Sequence, residues 1–137
     1  MHEAGKSNIL IVENDEDTRR IYTDILACIG GSVFEAANPY EAFEYLRRQR
    51  MSLILTDLHM PGGGIEYLAM LRREDRTCPI VAITGLGGEI IRQAAMLAGA
   101  TLFLEKPIRT RELRDIVNRY LHRIPVEVLP LPVVNKD

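Results

Sequence analysis

The chain alternates short, unbroken apolar runs with longer stretches in which apolar residues recur every three or four positions. Ile9-Leu10-Ile11-Val12 is free of polar residues and rich in β-branching, which predicts a strand buried on both faces. Leu53-Ile54-Leu55-Thr56 and Pro79-Ile80-Val81-Ala82-Ile83-Thr84 read the same way, and Leu102-Phe103-Leu104 is a shorter run of that kind. Ser32 to Ala36 is less apolar, which predicts a strand nearer a sheet edge.

The intervening stretches have helical spacing. Asp15, Glu16 and Asp17 suit a first turn, followed by Ile21, Tyr22, Ile25, Leu26 and Ile29 up to a stop at Gly30-Gly31. Asn38 predicts a helix cap, Pro39 suits the first helical position, and Glu41 completes a capping-box spacing. That helix is expected to run to about Arg50, with Tyr40, Phe43 and Leu46 inward and Arg47, Arg48 and Arg50 near its negative end. Ile65, Leu68, Ala69 and Leu71 mark a third helix, ending near Arg73. Glu89 to Leu97 predicts a fourth, closed by Gly99. Thr110 is expected to cap a last helix carrying Leu113, Ile116, Val117, Tyr120 and Leu121, with His122 on its surface.

Strand then helix, repeated to the end of the pattern, predicts an α/β fold: a parallel five-stranded sheet with helices on both faces. Right-handed crossovers leave few topologies. In such a sheet the carboxyl ends of the strands gather on one edge, where ligand chemistry is placed. Glu13, Asn14, Asp57, Thr84 and Lys106 all fall at or just beyond strand ends and are predicted to meet there.

Composition narrows the function without naming it. A chain of 137 residues suits one domain, and a formal net charge of −2 gives no bulk attraction to nucleic acid or anionic lipid. No apolar run approaches the ~18 residues that span a bilayer, and no signal-peptide core is read at the start. Cys28 and Cys78 have no metal-like spacing and are expected to be reduced, mostly buried thiols in a cytoplasmic protein. Residues 1–8 are polar and expected to be flexible. Residues 124–137 hold Pro125, Pro130 and Pro132 among Val and Leu, which suits an extended tail, a linker stub or a partner-binding segment, with no effector domain expected after the last helix.

The strand-end residues form a coherent chemical set. Asp57 by itself could merely open a turn or cap a helix. An aspartate can also carry a covalent phosphoryl group. A divalent cation beside it would offset its repulsion of the incoming phosphoryl oxygens. Lys106 offers a positive charge and Thr84 a hydroxyl donor for those oxygens.

These residues lie within motifs. Ile9-Leu10-Ile11-Val12-Glu13, Asp57-Leu58-His59-Met60-Pro61, Ile83-Thr84-Gly85, Ala98-Gly99-Ala100 and Lys106-Pro107 together resemble the receiver domain of a two-component response regulator. The resemblance spans about residues 9 to 122 and implies a flavodoxin-like (βα)5 domain over 9–123, with strand order 2-1-3-4-5. It implies that Asp57 is the phosphoacceptor, Thr84 the switch hydroxyl, Lys106 the phosphate-binding lysine and Phe103 the switch aromatic. It also implies that Glu13, Asn14, Asp57 and the backbone carbonyl of His59 surround Mg²⁺. A sensor histidine kinase or phosphotransfer protein would be the donor, with weak self-phosphorylation and autodephosphorylation at Asp57. The face of the fourth helix, fifth strand and last helix would bind a partner or a second copy.

The chain departs from the family pattern at four places. Asn14 stands where a metal-ligating carboxylate is usual, which implies weak Mg²⁺ binding, and Asp15 is not expected to substitute. The loop after Pro61 is one residue short, Phe103 replaces the commoner tyrosine, and Gly85-Leu86-Gly87-Gly88 is unusually glycine-rich. The competing function is a phosphorylation-independent interaction domain, a pseudo-receiver. A flavodoxin-like cofactor binder is disfavoured because the first strand-helix turn lacks a glycine-rich phosphate loop.

Overall fold

A computed structural model describes residues 7–121. In chain order the elements are β1 Asn8–Val12, α1 Glu16–Ala27, β2 Ser32–Ala36, α2 Pro39–Arg48, β3 Leu53–Asp57, α3 Ile65–Glu74, β4 Ile80–Thr84, α4 Glu89–Ala98, β5 Leu102–Glu105 and α5 Thr110–Leu121. The five strands form one parallel sheet in the order β2-β1-β3-β4-β5, as the resemblance implied. Among the described residues no helix is long and apolar enough to cross a membrane.

Strand periodicity explains the unbroken apolar runs. Leu10, Val12, Ile54, Ile80 and Ala82 point to one face and pack with Ala42 of α2, Leu68 and Leu71 of α3 and Ala95 of α4. Ile9, Ile11, Leu53, Leu55, Val81 and Ile83 point to the other and pack with Tyr22 and Leu26 of α1 and Leu113, Ile116 and Val117 of α5. Each fully buried Leu or Ile contributes roughly 1.5–3 kcal/mol relative to exposure. The edge strand β2 buries only Ala36 among its residues, which accounts for its more polar sequence.

Local chemistry sets the boundaries, and several expectations shift by a residue or two. Asp15 is the N-cap of α1, outside the helix; its carboxylate accepts from Thr18 N at 2.9 Å and Thr18 Oγ1 at 2.6 Å. Helix α1 ends at Ala27 with Cys28 as C-cap, which leaves that thiol exposed rather than buried as expected, while Cys78 is buried; Gly30 sits in the turn beyond with φ +106°. Asn38 caps α2 by accepting from Glu41 N at 2.8 Å, while the Glu41 carboxylate accepts from Ala37 N at 2.7 Å. The reciprocal bond of the capping box therefore falls one residue earlier than the ideal pattern. Helix α2 stops at Arg48, because Gln49 is already extended. Thr110 is the first residue of α5, and Pro79 precedes β4.

Residues 1–8 are not all loose. Asn8 pairs with Ser32 in the sheet, and Ser7 O accepts from Ser32 N at 2.8 Å. Residues 1–6, His122 and the 124–137 tail lie outside the described residues.

Candidate functional site

The site is built at the carboxyl edge of the three strands β1, β3 and β4, with β5 beside them. Asp57 ends β3, and its chain continues in pairing as Leu58 N donates to Ile83 O at 2.8 Å. Glu13 follows β1 and is tied to β2 by its amide on Ala36 O at 3.0 Å. Lys106 follows β5, and its amide donates to Thr84 O at 2.9 Å. The peptide between Lys106 and Pro107 is cis. Backbone pairing thus aims three charged side chains at one point.

They converge. The Lys106 ammonium lies 3.0 Å from Glu13 Oε1 and 3.3 Å from Asp57 Oδ2. Both carboxylates are buried, Glu13 at 1% and Asp57 at 3% relative exposure, whereas the lysine remains partly open to solvent. The other oxygens are also held: Asp57 Oδ1 accepts from His59 N and Glu13 Oε2 accepts from Asp15 N, each at 3.0 Å. One ammonium therefore faces two buried carboxylates. When both are ionised the trio carries a formal net charge of −1, an arrangement that favours another cation.

Electrostatics follow from this arrangement. Burial pushes the Glu13 carboxyl above its ordinary pKa, with a smaller push from Asp57; the Asp15 amide and the Lys106 ammonium pull against it. Burial works against the Lys106 ammonium, but the Glu13 hydrogen bond and both carboxylates outweigh it, so its pKa is raised. Glu13 is almost wholly buried, so desolvation outweighs its ion pair with Lys106.

The remaining expected residues stand around this trio in different ways. Thr84 is buried at the end of β4, and its Oγ1 accepts from Leu86 N at 3.1 Å. Asn14 is exposed, and among the described residues no side-chain hydrogen bond ties it to Glu13 or Asp57. Asp15 is engaged as the α1 cap, its carboxylate held by Thr18. His59 is exposed and contributes backbone only. Phe103 is half-buried on β5 and packs against the face that holds α3 and α4. Part of its burial is thus already made. The glycines after Pro61 serve the turn itself: a Cβ at Gly63 would come within 2.7 Å of Leu58 O.

Two contributors have no counterpart among the site residues expected from the sequence. Arg19 of α1 donates to Glu13 O at 2.7 Å and pairs with Glu35 at 3.2 Å, pinning the loop after β1. Tyr22, expected only as part of the apolar stripe of α1, is buried close enough to feel the charges of Lys106, Glu13 and Asp57, and its phenol pKa is raised chiefly by burial. An arginine one turn into the first helix was the available signal, but its target is a carbonyl, which leaves no trace in composition.

The donor set suits a hard cation. Glu13 and Asp57 offer carboxylate oxygens, the His59 carbonyl is adjacent in the chain, and Asn14 offers an uncharged amide oxygen. Among the described residues no group of three or more His, Cys, Asp or Glu side chains is placed to hold a metal.

Residues 9–118 match the family model described as response regulator receiver domain. The chain is similar to the cyclic di-GMP phosphodiesterase response regulator RpfG of Xanthomonas campestris, with 40% identity over 112 residues; the match covers 78% of this chain but 30% of that protein. It is also similar to sporulation initiation phosphotransferase F of Bacillus subtilis, with 31% identity over 82% of this chain and 92% of that one. A crystal structure of the receiver domain of a Pseudomonas aeruginosa sensor histidine kinase, with a magnesium ion coordinated in its active-site cleft, superposes with TM-score 0.76 and 28% identity. That alignment covers 85% of this chain and 98% of the other.

Proposed function

The chain belongs to the response regulator receiver domain family, and from that premise we propose that Asp57 accepts a phosphoryl group from a histidine kinase or phosphotransfer protein, with Mg²⁺ bound beside it. The observation that carries the proposal is the contact of Lys106 with both buried carboxylates, at 3.0 and 3.3 Å. That trio is one positive charge short of neutrality when both carboxylates are ionised, and one of its carboxylates stands at a strand end.

In the proposed reaction an Asp57 carboxylate oxygen forms a new P–O bond as the P–N bond of a phosphohistidine breaks. The electron pair of the broken bond stays on the imidazole nitrogen. Glu13, Asp57, the His59 carbonyl and the Asn14 amide would hold Mg²⁺, which when bound supplies positive charge to the phosphoryl oxygens. Lys106 shifts from the carboxylate to a phosphoryl oxygen, and Thr84 turns its hydroxyl toward another. Hydrolysis at Asp57 resets the domain.

The output face we propose is α4-β5-α5, for a partner protein or a second copy. Ile90 and Leu97 of α4 are 81% and 89% exposed, and Arg111 and Arg114 are exposed on α5. The two cysteines are free, which supports a reducing cytoplasmic setting. The uncharged Asn14 favours one second reading, a docking domain that works without phosphorylation.

Intact-mass measurement after treatment with acetyl phosphate and Mg²⁺ separates the two. The expected result is a gain of one phosphoryl group that Asp57→Asn abolishes. No gain, or an equal gain in both proteins, overturns the phosphoacceptor assignment.

A further inference from the structure

The glycine-rich segment Gly85-Leu86-Gly87-Gly88 connects β4 to α4. A loop with so many glycines is expected to move freely. The structure instead fastens it at both ends. At its start, Leu86 N donates to Thr84 Oγ1 at 3.1 Å. At its end, Gly88 N donates to Glu105 Oε2 at 2.7 Å.

Glu105 is the last residue of β5, registers with Thr84 across the sheet and directly precedes Lys106. Gly88 is the N-cap of α4, has φ +110° and brings no capping side chain. The carboxylate of Glu105 therefore supplies the missing cap from another strand, at the positive end of the helix dipole.

Gly87 is glycine for a different reason. Its backbone is outside the left-handed region, so conformation alone does not exclude a side chain. A Cβ there would meet Glu105 Cγ at 2.6 Å and run into the carboxylate itself. The absent side chain is the space that the Glu105 carboxylate fills.

We propose that Glu105 is a positioning residue that latches the β4–α4 loop to β5 and holds Thr84 in its unswitched orientation. This inference rests on the phosphorylation-driven switching proposed above. Thr84 Oγ1 can accept from Leu86 N and still donate its own proton, so a move of the hydroxyl toward a phosphoryl oxygen either draws Leu86 with it or breaks that bond. The loop is then restrained at its far end by Glu105, which opposes the switched arrangement until a phosphoryl group is present.

The test compares wild type with Glu105→Ala, Glu105→Gln, Gly87→Ala and the Gly87→Ala/Glu105→Ala double variant. Amide hydrogen exchange at position 88 reads the latch without any phosphorylation. Glu105→Ala is expected to raise it about three- to ten-fold, the range that one net hydrogen bond supports. Gly87→Ala, which displaces the carboxylate, is expected to do the same. The double variant is expected to show no further rise, and Glu105→Gln, which keeps an acceptor, to restore most of the protection. Unchanged exchange in Glu105→Ala, or effects that add in the double variant, overturns the latch.

Amide chemical shifts with and without beryllofluoride and Mg²⁺ then read the switch. Without the mimic, peaks of residues 84–92 in Glu105→Ala are expected part of the way from the wild-type positions toward the mimic-bound ones. Displacement in an unrelated direction overturns the positioning role even if the contact is real. A wild type whose site residues do not respond to the mimic overturns the phosphorylation-driven switching proposed above instead, and with it the latch's regulatory role.

Discussion

The hydroxyls of Thr56 and Tyr67 lie 2.7 Å apart, both buried, and Thr56 Oγ1 also reaches Asp57 O at 3.0 Å. A threonine hydroxyl has one proton to give. If Thr56 donates to the Asp57 carbonyl, Tyr67 donates to Thr56, and α3 is joined to the backbone of the site residue by two successive bonds. Burial raises the Tyr67 phenol pKa far above its usual value, so the donor proton is retained at every pH at which the protein is used. Tyr67→Phe is expected to destabilise the fold by about 1 kcal/mol through the lost bond, with most of the packing kept. Urea unfolding checks this, and a cost near the ~3–5 kcal/mol of a large aromatic truncation would place the contribution in packing instead.

Position 14 tests the cation site. An amide offers a carbonyl oxygen without charge, so Asn14→Asp is expected to tighten Mg²⁺ binding about ten-fold, or ~1.4 kcal/mol. Titration of both proteins measures it. Equal or weaker binding by the variant would mean that the residue at position 14 does not reach the ion.

Lys106 joins two carboxylates that would otherwise face each other in a buried place. Lys106→Met is expected to cost roughly 1–3 kcal/mol at neutral pH, discounted because the ammonium is partly exposed. Added Mg²⁺ is expected to restore part of that loss, since it supplies charge to the same oxygens. Thermal melts with and without Mg²⁺ give both numbers.

The turn before β4 has its own acid sensitivity. Asp75 Oδ1 accepts from Thr77 N, Thr77 Oγ1 and Cys78 N at 3.0, 3.3 and 3.0 Å. Burial works to raise its pKa, but these bonds outweigh it and the value is lowered. A depressed folded-state pKa adds stability that is complete above the unfolded value, about 3.9, and is lost as pH falls through the folded one. Asp75→Ala is expected to cost about 1–2 kcal/mol at neutral pH. The gap to wild type in urea midpoint should narrow as the pH is taken below the unfolded value of about 3.9.

Arg72 holds α3, α4 and the turn before β4 together. Its Nε and Nη2 donate to Gly99 O at 3.0 and 2.7 Å, and its Nη1 donates to Asp75 O and Cys78 O at 3.0 and 2.7 Å. Lysine has a single nitrogen and cannot span these carbonyls. Arg72→Lys is expected to cost about 2 kcal/mol in unfolding experiments, although it preserves charge.

Those examples mark where sequence reading succeeds and where it stops. The strands and helices were legible because burial imposes a period: Leu10 and Ile11 serve opposite faces, so a doubly covered strand must be apolar throughout. Glu13, Asp57, Thr84 and Lys106 were legible because strand ends gather on one edge. Asp15 suits a first helical turn and a cap equally well as a sequence, and the structure makes it the cap. The contacts of Arg72 with Gly99 and of Glu105 with Gly88 were not legible, because each joins residues far apart in sequence through backbone atoms that every residue possesses.

These two contacts grip the same helix at opposite ends. At the C-cap of α4, Gly99 O is held by two nitrogens of Arg72, and a Cβ at Gly99 would meet Arg72 Cγ at 2.7 Å. At the N-cap a single carboxylate bond holds Gly88. The firmer grip makes a fulcrum. A ten-residue helix is about 15 Å long, so a swing of about 10° around Gly99 carries its other end through roughly 2.6 Å. A displacement entering beside Thr84 would then be carried almost in full to Ile90, and would leave Leu97, near the axle, almost where it was.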